Sequence, residues 1–370
     1  MKICTITCHD VYNYGASLQA FALQFYLENC GHEVRIIDYK PIYQTAYKFS
    51  TEVSKDSPLY KYYTTFPLLK YFKGCFNYLE QLKTRKRIPS FKRFNKEFLK
   101  LTNKYYSNDD LVLNPPQADI YIAGSDQIWN TNIQNGLDPA YYMCFGDKKT
   151  RRVAYAASFG VAPKSLEESI VKEMLSNIDD ISVRELTGLD ILKNLGLSGI
   201  QVVDPVFLLS SENWIKALNI DKCKKVISDK YILVYDIAIS MQEKELFAKK
   251  LAKQYDCKIV SVNGIYTNSY ADVNINNASP VDFVNLIANA EAVIADSFHA
   301  TSFSIIFHKP FYTFYKLSNI SRMEDLLKML DLSDRLNSKN ILPNPNWNIV
   351  EIKLHKIIES SKAFLNNVVR

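Results

Sequence analysis

Short apolar runs alternate with helical runs along most of this 370-residue chain. Such alternation is typical of α/β proteins, in which helices cover a mainly parallel sheet. The pattern occurs twice, in an array that starts at residue 2 and in another that starts near residue 231. We therefore predict an α/β fold with two Rossmann-like domains and a cleft between them. The predicted domains are 1–205 and 206–345, and we expect the helix in 346–370 to pack back on the first domain.

The individual elements follow from the hydrophobic period and from turn residues. The predicted strands are 2–8, 33–38, 118–123, 152–156, 181–183, 202–205, 231–235, 258–262 and 292–295. The predicted helices are 17–29, 165–178, 187–195, 242–254, 280–290 and 350–368. The first loop lacks the Gly-x-Gly-x-x-Gly spacing, so a dinucleotide pyrophosphate site is not indicated.

The end of the strand 292–295 is the most informative site in the sequence. The strand leads into Ser297, Phe298 and His299, and we expect a helix to begin near Ser297. Open α/β sheets bind ligands at the carboxyl ends of their strands, and a helix N-terminus favours anions. The pattern therefore indicates an anionic substrate beside His299. A structural alternative stays open, in which His299 bonds a neighbouring carbonyl and Ser297 only caps the helix.

Composition is that of a globular protein, since 47% of the residues are hydrophobic. The first apolar run stops at His9, and no run reaches the roughly 18 apolar residues of a membrane span. We therefore expect a cytoplasmic protein. The seven cysteines form no Cys-x-x-Cys pair, so neither zinc nor a disulfide framework is indicated. No metal is expected, although Asp236 and Asp296 are carboxylates that could serve as ligands.

The formal charge of +6 is unevenly distributed. Residues 55–104 hold thirteen Lys and Arg against three acidic residues, with many aromatic residues among them. We interpret 55–105 as a basic helical insertion. It could make peripheral contact with anionic lipid at the inner face of the membrane, or bind a pyrophosphate-linked substrate. It could equally be a solvated insertion whose aromatic residues pack on the core. No RNA- or DNA-binding module is recognisable, so no nucleic-acid partner is expected.

Seven segments in order along the chain resemble the polysaccharide pyruvyl transferase family. They are 13–20 (NYGASLQA), 124–130 (GSDQIWN), 155–160 (YAASFG), 182–185 (SVRE), 204–205 (DP), 296–304 (DSFHATSFS) and 321–327 (SRMEDLL). The resemblance implies a fold like that of two-domain GT-B glycosyltransferases. It also implies a reaction that moves the enolpyruvyl group of phosphoenolpyruvate onto a sugar as a cyclic ketal and releases phosphate.

The same resemblance implies the partners. Phosphoenolpyruvate is a co-substrate, and no further cofactor is implied. The acceptor is expected to be a hexose of a bacterial surface polysaccharide, such as an exopolysaccharide or capsule, or of its polyprenyl-pyrophosphate-linked precursor. In the family's pattern Arg184, Phe298 and His299 correspond to positions that hold phosphoenolpyruvate. This chain departs from the pattern at Ser297, where some relatives carry an arginine, and we assign Arg322 as the substitute cation.

The chemistry of phosphoenolpyruvate suggests a role for each residue. Its carboxylate and phosphate need fixed positive charge, and its methylene carbon needs a proton. We predict that His299 contacts the phosphate and acts as a general acid. Asp126 could serve as the hydroxyl base or as a sugar ligand, although a turn cap explains it as well. Arg184 could instead form an ion pair with Glu185 or with an aspartate elsewhere.

Four more residues complete the predicted substrate-binding set: Asn13, Gly15, Gln19 and Ser125. Asn13 and Gln19 could hydrogen-bond the acceptor, although asparagine near glycine is also ordinary turn chemistry. Two other functions stay open. One is a GT-B glycosyltransferase that uses a nucleotide sugar, and the other is a membrane-associated scaffold that acts through the basic helices.

Overall fold

The computed structural model describes residues 1–41, 43, 85–223, 225–237, 242–263, 267–315 and 321–370. Residues 55–84, which form most of the predicted basic insertion, lie outside the described residues. Two parallel sheets dominate the described part, so the predicted α/β class is confirmed.

The N-terminal sheet has seven strands in the order β3-β2-β1-β4-β5-β6-β7. Every neighbouring pair in it is parallel. The strands are β1 (Lys2–Ile6), β2 (Glu33–Tyr39), β3 (Leu101–Tyr105), β4 (Ile120–Ala123), β5 (Arg151–Ala157), β6 (Asp180–Val183) and β7 (Ile200–Gln201). The strand order reverses between β1 and β4, and such a switch point opens a crevice at the carboxyl ends of the two strands.

The C-terminal sheet has five strands in the order β10-β9-β8-β11-β12, and its pairs are also parallel. The strands are β8 (Tyr231–Tyr235), β9 (Lys258–Val262), β10 (Val273–Ile275), β11 (Ala292–Ala295) and β12 (Phe311–Thr313). The order reverses between β8 and β11, which gives this sheet its own switch point. Both β8 and β11 are buried along their whole length, as expected for strands covered on both faces.

The helices cover both sheets. In the N-terminal half they are α1 (Tyr14–Asn29), α2 (Ile88–Phe98), α3 (Asn108–Leu113), α4 (Glu168–Leu175), α5 (Leu186–Asn194) and α6 (Ser211–Ala217). In the C-terminal half they are α7 (Gln242–Tyr255), α8 (Pro280–Asn289), α9 (Phe298–Ile306), α10 (Ser321–Met329) and α11 (Trp347–Val368).

An aromatic core joins the two sheets. Tyr14 at the start of α1 stacks on Phe283 of α8, with ring centroids 4.5 Å apart, and its hydroxyl donates to the carbonyl of Ala278. Trp214 of α6 packs edge-on against Phe303 of α9 at 5.0 Å. Because both contacts cross from one sheet's helices to the other's, the two halves share one continuous core.

Helix α2 carries the described part of the basic segment. Phe91 and Phe94 are buried in the core, whereas Lys92, Arg93 and Lys96 on the same helix are exposed. Its hydrophobic residues are therefore used for packing and its charges face solvent. Contact of the segment with a membrane stays a prediction.

The last helix, α11, lies against the N-terminal sheet. Ser361 accepts a hydrogen bond from the backbone N–H of Val203 at 2.9 Å, and the rings of Phe364 and Tyr155 stack at 6.4 Å. The chain thus crosses from the C-terminal sheet back to the first one. The predicted domain boundary at 205/206 stays a prediction, with β7 before it and β8 after it.

Several predicted elements differ from the structure in their bounds, as for the helix predicted at 165–178, which is Glu168–Leu175. Two of the differences have an evident local cause. The first helix begins at Tyr14, three residues before the predicted start, because Asn13 caps it by accepting from the N–H of Ala16. The strand predicted at 202–205 is wrong, since the strand is Ile200–Gln201. A 3-10 helix occupies Pro205–Leu208 instead, and Asp204 caps it by accepting from the N–H of Val206.

We predict that Trp214→Ala destabilises the protein through the core between the sheets. The ring is fully buried, contacts Phe21 and Phe303, and donates its indole N–H to the carbonyl of Val206. Its removal should lower the free energy of unfolding by about 3–5 kcal/mol in a urea titration. Trp347→Ala, at a partly exposed tryptophan, is the control and should cost less. Equal losses in the two variants would contradict this account of the core.

Candidate functional site

A cavity of about 620 Å³ lies at the carboxyl ends of the strands of both sheets. It lies beside the switch point of each sheet, as expected for open parallel sheets. Its walls come from the segments that follow β1, β2, β4, β8, β11 and β12 and from α10. The lining residues are Cys8, Val11, Asn13, Tyr43, Asp126, Gln127, Asn132, Ile133, Asn135, Ile237, Ser297, Phe298, His299, Tyr315 and Arg322.

His299 lies in the first turn of α9, directly after β11. Ser297 caps this helix, since its hydroxyl accepts from the N–H of Ala300 at 3.4 Å. The His299 residue is only 7% exposed, and its Nε2 lies 3.4 Å from Oδ2 of Asp204. The local arrangement of strand, cap and helix is the one that the sequence predicts.

Gly15 brings the start of α1 against the His299 ring. A Cβ atom at position 15 would lie 1.9 Å from Nδ1 of His299, far inside van der Waals contact. Only glycine therefore permits this approach. The contact joins a helix of the N-terminal half to the histidine of the C-terminal half.

Arg184 follows β6 and lies beneath the cavity, with a side chain only 2% exposed. Its Nη1 donates to Oδ2 of Asp204 at 2.5 Å, and its Nη2 lies 3.7 Å from Oδ1 of Asp126. Its guanidinium also lies over the Phe298 ring, with Cζ 4.7 Å from the centroid. Burial opposes the charge, but Asp204, Asp126 and Glu185 together raise the pKa of Arg184. Arg184 is therefore ion-paired, as the alternative interpretation of the sequence predicts. Its partner Asp204 also lies beside His299, so the pair connects Arg184 to the histidine.

Asp204 is the shared partner of Arg184 and His299. It is fully buried, and its Oδ2 also accepts a hydrogen bond from the Ser125 hydroxyl at 3.2 Å. Burial alone would raise the pKa of Asp204, but His299 and Arg184 hold it well below its usual range. The segment 204–205 is part of the sequence pattern, yet no role for Asp204 follows from it. The sequence signal for such a role is the position of Asp204 after a strand of the N-terminal sheet, at the same edge of the sheet as Arg184.

Arg322 of α10 lines the cavity and adds a second guanidinium. The side-chain amide of Gln127 lies against it. Burial and the nearby charge of Arg184 lower the pKa of Arg322. Within the described ranges, no carboxylate lies within ion-pair distance of Arg322. An anion that enters the cavity therefore meets a guanidinium that contacts the Gln127 amide and that no carboxylate of the described residues pairs with.

Asp126 presents a carboxylate to the cavity and is 21% exposed. Its backbone has a positive φ of 75°, and its Oδ1 accepts from the N–H of Gln127, so it also shapes its own turn. Asn13, Ser297 and Phe298 line the same cavity. These placements bring most of the predicted site residues together.

Gln19 and Ser125 lie behind the cavity wall. The N–H of Ser125 donates to Oε1 of Gln19 at 3.1 Å, and Nε2 of Gln19 donates to the hydroxyl of Thr7. Both side chains are fully buried and neither lines the cavity. They support the turn that carries Asp126, and the predicted contact with substrate stays a prediction.

A second charged cluster fixes the turn before Ser297. Lys244 of α7 is 1% exposed, forms an ion pair with Asp236, and lies 3.5 Å from Asp296. Asp296 in turn accepts from the N–H of Ile237 at 2.7 Å. The cluster connects the carboxyl ends of β8 and β11 and so holds the chain that leads to His299. No sequence pattern indicates this role for Lys244, because the periodicity of its helix does not show which charges the side chain meets.

Metal-binding clusters and membrane-spanning helices are both absent among the described residues. Among the described residues, no group of three His, Cys, Asp or Glu side chains is arranged to hold a metal ion. None of the described helices combines the length and the hydropathy that crossing a bilayer requires.

Two solved structures resemble this one over almost its whole length. One is a candidate UDP-N-acetylglucosamine 2-epimerase from Listeria monocytogenes, with a TM-score of 0.51 and 10% identity, over 98% of this chain and 89% of that one. Another is MnaA of S. aureus in a co-structure with UDP, with a TM-score of 0.50 and 13% identity, over 99% and 95%. The predicted GT-B-like arrangement of two sheets is confirmed by this likeness.

Sequence comparison identifies the family. No curated protein sequence matches this chain. The family model described as "Polysaccharide pyruvyl transferase" matches residues 13–316, which include every cavity-lining residue after β1 except Cys8, Val11 and Arg322. Because the match covers most of the sequence, the chain belongs to the polysaccharide pyruvyl transferase family.

Proposed function

We propose that this protein transfers the enolpyruvyl group of phosphoenolpyruvate onto two hydroxyls of a hexose in a bacterial surface polysaccharide or its lipid-linked precursor, with release of phosphate. One observation carries the proposal. His299 and Arg184 come from opposite halves of the molecule and meet at Asp204, beside a cavity that Arg322 lines. A small dianion needs such a cluster of cations in a partly closed site.

The donor would lie between Arg322 and the start of α9. Arg322 offers a planar fork of donors that suits a carboxylate or a phosphate. His299 and the free N–H groups at the N-terminus of α9 would bind the other acidic group. Arg184 is committed to Asp204, so we assign it the role of supporting His299 and Phe298 from below.

The reaction requires one proton on C3 of phosphoenolpyruvate. His299 would supply it from the first turn of α9, where Oδ2 of Asp204 lies 3.4 Å from Nε2 of the ring. Protonation makes C2 electrophilic, and one sugar hydroxyl adds to it. Phosphate then leaves, and a second hydroxyl closes the ketal ring. Two hydroxyl protons are released in total, of which one replaces the proton given to C3 and the other leaves with phosphate.

Asp126 is suited to accept one of these hydroxyl protons. It is the one carboxylate among the described cavity-lining residues, and it lies on the side of the cavity next to Arg184. A positioned carboxylate is a common general base for sugar hydroxyls.

A nucleotide-sugar glycosyltransferase remains the second candidate, because the S. aureus neighbour contains UDP. Asp296 argues against it. Its side chain is 11% exposed at the switch-point edge of the C-terminal sheet, and a diphosphate placed against it would meet a carboxylate, whereas Asp236 is fully buried against Lys244.

We predict that His299→Ala lowers turnover by about 100-fold or more, the usual contribution of a general acid. Phosphate release would be measured with phosphoenolpyruvate and the methyl glycosides of glucose, galactose and mannose, and mass spectrometry would follow the pyruvyl adduct. His308→Ala is the matched control, since His308 is partly exposed and pairs with Glu351 away from the cavity. A wild-type protein that yields neither phosphate nor adduct across a broad acceptor panel would refute the proposed activity.

We predict that Gly15→Ala reduces kcat by about 100-fold, because the added methyl group displaces the His299 ring and a misplacement near 1 Å has this order of effect. Circular dichroism would check that the variant folds. Unchanged turnover would show that the contact between Gly15 and His299 does not position the imidazole.

We predict that phosphoenolpyruvate raises the melting temperature of the wild-type protein and that Arg322→Met removes most of the rise. A ligand at 100 times its Kd stabilises the folded state by about 2.7 kcal/mol, which a thermal melt detects easily. Protection by UDP together with no protection by phosphoenolpyruvate would instead support the glycosyltransferase.

A further inference from the structure

Another part of the cavity wall contains a tyrosine that is hydrogen-bonded to a buried carboxylate. Tyr43 lines the cavity and is 37% exposed, and its hydroxyl donates to Oδ2 of Asp138 at 2.5 Å. Asp138 itself does not line the cavity and is 9% exposed. The phenol therefore connects the cavity to a carboxylate that substrate does not reach directly.

Three hydrogen-bond donors surround the carboxylate of Asp138. Besides the Tyr43 hydroxyl, Oδ2 accepts from the hydroxyl of Tyr39 at 2.7 Å, and Oδ1 accepts from the backbone N–H of Ala140 at 2.9 Å. These contacts hold the carboxylate in place behind the cavity wall. Because the O–H of Tyr43 donates to Asp138, the phenol oxygen has lone pairs left to accept a hydrogen bond from a ligand hydroxyl.

The cavity wall that includes Tyr43 also offers neutral amides. Asn132 and Asn135 line the cavity together with the apolar Ile133, and besides the thiol of Cys8 and the phenols its chargeable lining groups in the described ranges are Asp126, His299 and Arg322. Amide and phenol groups are suited to sugar hydroxyls and offer no partner to a carboxylate or a phosphate. This wall therefore fits an uncharged, hydroxyl-rich ligand.

We propose that Tyr43 and Asp138 form a proton relay that deprotonates one of the two acceptor hydroxyls, and that the wall beside them binds a neutral hexose. This inference rests on the proposed function. The acceptor O–H gives its proton to Oη of Tyr43, while Tyr43 gives its own proton to Oδ2 of Asp138. The freed oxygen forms its bond to C2 of the enolpyruvyl group. The proton on Asp138 later returns through Tyr43 to the departing phosphate or to water, so no co-reactant is needed.

Each of the two acceptor hydroxyls thus has its own proton acceptor. Asp126 serves the hydroxyl on the side of Arg184, and the relay serves the other. Tyr43 is the catalytic residue of the relay because it lines the cavity, and Asp138 acts through it as a positioning residue. Burial and the hydrogen bond to Asp138 raise the pKa of Tyr43, which keeps the phenol protonated until transfer.

The test compares Tyr43→Phe with Tyr39→Phe in the full-length protein. Both changes remove one hydrogen bond to the same oxygen of Asp138, but Tyr39 is 2% exposed and does not line the cavity. Phosphate release would be measured at saturating phosphoenolpyruvate with the methyl hexosides as probes. We expect Tyr43→Phe to lower kcat by about 100-fold with an unchanged KM for phosphoenolpyruvate. Tyr39→Phe should lower kcat far less, because it removes only one hydrogen bond to Asp138 and leaves the path of the proton intact.

Asp138→Asn gives a second measurement and should lower kcat like Tyr43→Phe, again without a change in KM for phosphoenolpyruvate. If Asp138→Asn does not fold, the two tyrosine variants decide alone. Wild-type kcat in Tyr43→Phe, or an equal loss in both tyrosine variants, would overturn the relay while an active wild type leaves the proposed function standing. A wild type without phosphate release would overturn both.

Discussion

The buried carboxylate of Asp204 is the interaction on which the site depends. It holds the Arg184 guanidinium at 2.5 Å and the His299 imidazole at 3.4 Å, and these two groups come from different sheets. Removal of one member of a buried ion pair costs about 3–5 kcal/mol, because the remaining charge is left without a partner. Asp204, Arg184 and His299 therefore depend on one another. Their contacts determine both the relative position of the two sheets and the charge at the cavity.

The aromatic core gives this charge cluster a fixed frame. Tyr14 stacks on Phe283 directly beside the turn that presents Gly15 to His299. On the other side, Lys244 holds the turn before Ser297 through Asp236 and Asp296. The imidazole is thus restrained by packing from one half and by ion pairs from the other. Restraint of this kind lets a catalytic group keep its geometry without a cost in ordering when substrate binds.

Local sequence patterns predicted the parts of the structure that local physics determines. The buried strand Ala292–Ala295, the cap at Ser297 and the helix after it could be read from hydrophobic period and hydroxyl placement. Helix α1 begins three residues before its predicted start because Asn13 caps it. The strand expected at 202–205 was wrong because Pro205 and the Asp204 cap favour a 3-10 turn. Neighbouring residues alone account for each of these results.

The partners of the charged residues could not be predicted in the same way. Arg184 and Asp204 are twenty residues apart, and Tyr43 and Asp138 are ninety-five apart, so no periodicity relates them. Only the order of strands in the sheet brings such residues to one edge. The resemblance to a family indicated Arg184 and His299, but it gave no role to Asp204, Lys244 or Tyr43. These roles follow from the three-dimensional contacts.

The contact between Gly15 and His299 has a consequence for how the family can vary. Position 15 belongs to the first strand-loop-helix unit, and position 299 to a unit almost three hundred residues later. A hybrid protein assembled from the first half of one relative and the second half of another would keep this fit only if it inherited glycine and histidine as a pair. Positions 15 and 299 are thus expected to change together in evolution, even where the outer surfaces of the two halves change independently.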